Sequence, residues 1–87
     1  MRVGATFPVG DTPDVLAVDP GLHRLYVAAE SGVLAIFATQ DKTLTPLAQG
    51  FLADAAHTIA VDPITHQLYL PLETVNEQPI LRIMAPI

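Results

Sequence analysis

Short apolar runs alternate with proline- or glycine-bearing breaks along all 87 residues. That rhythm predicts strands joined by tight turns. No amphipathic stripe of three helical turns survives the eight prolines and five glycines. The best helical stretch, Ala53–His57, is too short to stand alone. The runs predict strands at Val3–Phe7, Val15–Val18, Arg24–Ala28, Val33–Ala38 and Thr43–Ala48. Three more follow at Thr58–Val61, Gln67–Pro71 and Ile80–Met84. Val15–Val18 is continuously apolar, as expected of a strand buried on both faces. Pro46 marks its strand as an edge, where a missing N–H costs no ladder bond. Glu73–Gln78 reads as a loop about four residues longer than its counterpart in the first half.

The pattern is written twice. "LAVDPGLHRLYV" at 16–27 returns as "IAVDPITHQLYL" at 59–70, an offset of 43 residues. Nine of the 20 positions in 11–30 are identical 43 residues on, more than unrelated segments would share. Each copy predicts a hairpin: a strand, an Asp-Pro turn, then a second strand. Proline presets φ for the turn, and the aspartate accepts from a backbone N–H two residues on.

A four-stranded meander repeating at this interval fits a propeller blade, whose repeats run at about 40–50 residues. The expected fold class is therefore all-β. It comprises two four-stranded antiparallel meander blades of a β-propeller, the second lacking its outer strand. Residues 1–10 would be the outer strand of a preceding blade plus a linker, 11–50 the first blade and 54–87 the second, incomplete one. A blade cannot bury both faces alone, and a ring takes roughly 4–8 of them. The partners expected are other blades, from a longer chain or from copies of this one.

Ala17-Val18-Asp19-Pro20 with Arg24-Leu25-Tyr26-Val27 resembles the YVTN-type repeat of YncE-like seven-bladed propellers. Ala60-Val61-Asp62-Pro63 with Leu68-Tyr69-Leu70 resembles it too, departing at Gln67 and Leu70. The resemblance implies a propeller architecture and, for full-length relatives, a frequent periplasmic or extracellular setting. Lactonase-type propellers resemble the same repeats and imply hydrolysis at the channel mouth as an alternative.

Composition narrows the choices. Hydrophobic residues make up 51% and charged residues only 15% of the chain, apolar for so small a protein. Some faces are therefore expected to need a partner. Net charge is −5 with four Lys and Arg in all, which gives no basic stripe for nucleic acid. There is no cysteine, so thiol nucleophiles and zinc–thiolate sites are excluded. No run approaches the about 18 apolar residues of a spanning helix, so no membrane insertion is expected. "VGATFPVGDTP" after Met1-Arg2 lacks the unbroken apolar run of an export signal.

Candidate chemistry is sparse. Asp14 and His57 are repeat-equivalent and precede the innermost strand of each unit, where propellers open their channel. A carboxylate and an imidazole there could share a proton or a metal. Asp11 and Asp54 lie three residues earlier and would either add carboxylates to that rim or cap their own loops. Asp19, Pro20, Asp62 and Pro63 are expected to make turns. Tyr26 and Tyr69 are expected to pack between units with their hydroxyls near the surface. His23, His66, Glu30 and Glu73 are expected to be solvated, the two histidines splayed apart. No nucleophile elbow, phosphate loop or metal-ligand cluster appears, and no cofactor is expected. The function expected is a non-catalytic scaffold or binding module.

Overall fold

The computed structural model describes residues 4–40, 43–53 and 58–86. Among the described residues seven strands form: β1 (Pro13–Asp19), β2 (Arg24–Ala29), β3 (Val33–Gln40), β4 (Thr43–Phe51), β5 (Ala60–Val61), β6 (Leu68–Val75) and β7 (Gln78–Met84). They make two antiparallel meanders, a four-stranded sheet β1-β2-β3-β4 and a three-stranded sheet β5-β6-β7. Among the described residues there is no helix. The chain is all-β, and the sheets do not close into a barrel. Most of the predicted helical stretch at Ala53–His57 lies outside the described residues.

Alternation of side chains along each strand gives each sheet two faces. Registers set which residues share one: Ala17, Tyr26 and Ile36 stand opposite each other in β1, β2 and β3. In the second sheet Leu68 pairs with Met84, and Leu72 with Ile80. The core forms where the face carrying Val15, Ala17, Tyr26, Ala28, Leu34 and Ile36 meets the face carrying Val61, Leu68, Leu70, Leu72, Ile80 and Met84. Among the described residues, β1 and β5 are the only strands of different sheets whose Cα atoms come within 8 Å of each other. The sheets thus approach most closely at their first strands.

Three predictions need correction. Residues 4–9 form no strand; Phe7 instead lies edge-on to Phe37, with ring centroids 5.5 Å apart. β1 is buried on one face, not two. Val15 and Ala17 face the core while Leu16 and Val18 point outward and are exposed. Finally, 73–78 is no loop. β6 runs to Val75 and turns at Asn76-Glu77, whose φ values of 52° and 65° make a two-residue hairpin turn of the primed type.

Pro46 does lie on an edge strand, β4. It pairs with Phe37 while Ala48 pairs with Ile36, so Leu47 bulges out of the ladder beside it. Between β2 and β3, Gly32 takes φ 91°, and a Cβ there would lie 2.2 Å from the Ala53 carbonyl oxygen. Only glycine fits this position.

Candidate functional site

The two Asp-Pro turns are built alike. In the first, the Leu22 N–H donates to Asp19 Oδ1 at 3.3 Å and the His23 N–H to the Pro20 carbonyl at 3.4 Å. Arg24 Nη1 donates to the carbonyls of Leu22 and His23. In the second, the Ile64 and Thr65 N–H groups donate to Asp62 Oδ1 at 2.8 and 3.3 Å, and the His66 N–H donates to the Asp62 carbonyl at 2.7 Å. Both turns end on a left-handed histidine, with φ 56° at His23 and 65° at His66. Histidine is among the residues that tolerate this region best after glycine. That accounts for its recurrence at the same place in each repeat.

The turns do not splay apart. His66 Nδ1 lies 2.7 Å from Asp19 Oδ2, across 47 residues of sequence. An ionised carboxylate can only accept, so the ring donates from Nδ1. Asp19 is fully buried, and a buried carboxylate needs partners for its lone pairs. It has the Leu22 N–H on one oxygen and the His66 ring on the other. Gly21 makes room for that ring: a Cβ there would meet His66 Cε1 at 2.9 Å. The expectation of solvated, separated histidines therefore fails at His66, which clasps the first unit, while His23 is exposed.

Tyr26 also departs from expectation. It is fully buried, and its hydroxyl has no hydrogen-bond partner among the described residues. Burial first, and then the nearby Asp19 carboxylate, raise its pKa above the ordinary 10.0, with Arg24 pulling the other way. Tyr69 is half-buried and its hydroxyl donates to Gln67 Oε1 at 3.3 Å in an exposed setting. Asp62 is held below its ordinary pKa, chiefly by the Ile64 and Thr65 backbone donors.

Of the four residues considered for a channel mouth, Asp11 and Asp14 are among the described ones. Asp14 is exposed and occupies a bulge in β1: Pro13 pairs with Ala29 and Val15 with Ala28, leaving Asp14 as the extra residue. Asp11 is exposed, and its backbone carbonyl accepts from the Ser31 N–H. Asp54 and His57 lie outside the described residues. Pro20 and Pro63 are exposed turn residues, as is Glu30. Glu73 lies within β6 rather than in a loop. Among the described residues no group of three His, Asp or Glu side chains could hold a metal ion.

The clasp joins residues that are not repeat equivalents, so matching each histidine to its own counterpart does not reveal it. The pairing joins the aspartate of one turn to the histidine of the next. The available signal was the offset itself. Stacked repeats bring consecutive turns side by side, and a four-residue slip carries the 43-residue repeat to the 47 residues that separate Asp19 from His66.

Compared with models of protein families, with curated proteins and with solved structures, the chain has no match.

Proposed function

We propose that the chain is a non-catalytic repeat module, two consecutive blades of a β-propeller of the YncE-like kind, acting as a scaffold that binds through assembled blades. One observation carries this reading. The two meanders stack front to back, each turning a different, repeat-defined face to the other, and they converge at β1 and β5. Blades around a channel pack with that polarity, and their first strands line the axis.

The repeat-module reading is tested by joining two copies of the chain through a short flexible linker. Each blade face is covered by the next, so the joined protein is expected to unfold cooperatively at a higher Tm than the single chain. Equal Tm values would show that the added units do not stack and would overturn the reading. Its non-catalytic half is tested with a panel of lactones. No turnover is expected, and turnover abolished by Asp14→Asn would replace the scaffold with a hydrolase.

A further inference from the structure

The faces that the two sheets bury against each other are not repeat equivalents. Sheet one uses Ala17, Tyr26, Leu34 and Ile36; sheet two uses Ile59, Val61, Leu68 and Met84. Translating each set into the other unit gives an unexpected match. The counterparts of Ala17 and Tyr26 at the 43-residue offset are Ala60 and Tyr69. Tyr26 pairs with Ile36 and Ala28 with Leu34, whereas Tyr69 pairs with Ile83 and Pro71 with Leu81. Ile83 and Leu81 thus occupy the places of Ile36 and Leu34, on the outer face of sheet two. In the other direction, the counterparts of Ile59 and Val61 are Leu16 and Val18, on the outer face of sheet one.

Burial separates the two sets. Leu34, Ile36 and Ile59 are at most 6% exposed, while Leu16, Val18, Leu81 and Ile83 are each more than half exposed. The chain therefore carries part of each half of its own internal interface a second time and uncovered, on opposite sides, although Phe37, which stands where Met84 stands in sheet two, is buried. Phe7 lies against Phe37 at the β3 side of the sheet-one outer face, which leaves the β1 side open.

We propose that copies of this chain associate head to tail, with Leu81 and Ile83 of one copy packing against Leu16 and Val18 of the next. The occupant is a second copy because the exposed faces repeat part of each side of an interface that the molecule already forms. The inference rests on the repeat-module reading and extends it to separate chains. The Asp19–His66 clasp is not expected to be repeated between copies, because Ile64 stands where Gly21 leaves space for a ring.

A head-to-tail contact is heterologous, so each copy has one donor face and one acceptor face. This gives a complementation test by light scattering and sedimentation. The wild-type chain is expected to form assemblies larger than a dimer as concentration rises. Leu16→Asp disables one face and Ile83→Asp the other, so each variant alone is expected to remain monomeric. An equal mixture of the two is expected to form a dimer and nothing larger, because one live pair of faces remains. Val18→Asp with Leu81→Asp provides an independent pair at exposed positions, and far-ultraviolet circular dichroism checks that all four variants keep their strands.

A wild-type chain that stays monomeric would overturn the proposal. So would a single variant that dimerises alone, which is the mark of a like-to-like contact, or a mixture that does not pair. A higher Tm in the joined two-copy protein alongside monomeric separate copies would overturn this inference alone and leave the repeat-module reading standing.

Discussion

His66 donates from its ring to the buried carboxylate of Asp19 at 2.7 Å, tying the turn of the second meander to that of the first. Removing one partner leaves a buried carboxylate oxygen without its donor, which costs about 1–3 kcal/mol. His66→Ala is therefore expected to destabilise the chain by that amount in urea titration. His23→Ala, at the equivalent exposed position, should cost less. A double-mutant cycle of His66→Ala with Asp19→Ala should show coupling. Equal losses at the two histidines, with no coupling, would rule the clasp out.

Gly21→Ala probes the same contact from the other side. The added methyl would lie 2.9 Å from His66 Cε1, so the ring must shift and its bond to Asp19 must lengthen. Stability should fall in wild type and change little in the His66→Ala background. A loss of the same size in both backgrounds would trace the effect to the turn backbone instead.

The buried Tyr26 hydroxyl has no partner among the described residues, so Tyr26→Phe removes a desolvated polar group without opening a cavity. The substitution is expected to be neutral or to stabilise by up to about 1 kcal/mol. Because the folded-state pKa of Tyr26 is raised, wild-type stability should fall as pH rises beyond 10.0 and through the raised value. The Phe variant should lose that part of the alkaline decline. A clear loss of stability at neutral pH would mean that the hydroxyl is bonded.

The hairpin at Asn76-Glu77 places glutamate at φ 65°, a region costly for a residue with a long side chain. Glu77→Gly should raise the urea midpoint, with a gain of up to about 1 kcal/mol in stability. Relief of a left-handed cost of about 1–2 kcal/mol outweighs the about 0.5–1 kcal/mol of extra backbone entropy that glycine loses, and glycine suits the second position of this turn. A lower midpoint would show that the strain is absent.

Asp62 has a depressed pKa in the folded chain, so its contribution is present above the ordinary value of 3.8 and is lost as pH falls through the depressed one. Asp62→Asn keeps an oxygen for the two backbone donors but cannot titrate. The stability gap between wild type and variant should shrink with acidification below pH 3.8. A gap that stays constant with pH would count against those donors.

The hairpin plan was largely legible because it depends on local chemistry. Asp-Pro turns, short apolar runs and an edge proline each announce themselves within a few residues. What escaped depended on tertiary context. "VLAV" reads the same whether one face or two are covered, and only the placement of the second sheet leaves Leu16 and Val18 outside. The turn at Asn76-Glu77 was hidden because glutamate occupies a place that glycine usually marks. His66 looked like a surface residue because its acceptor lies 47 residues away. The candidate pair Asp14 and His57 rested on repeat equivalence and on their place before the innermost strands, and His57 lies outside the described residues. Asp14 proves to be an exposed bulge residue.

The bulge at Leu47 bears on aggregation. β4 is a nine-residue edge strand with every residue exposed, the kind of template on which foreign strands add. Pro46 withholds one N–H, and Leu47 throws the ladder out of register beside it. What is left on either side is three residues, Thr43–Thr45, and four, Ala48–Phe51. Neither is long enough to seed the six- or seven-residue pairing typical of cross-β growth. In so apolar a chain, this interruption discourages lateral strand addition along β4, and its protection is independent of what covers the faces.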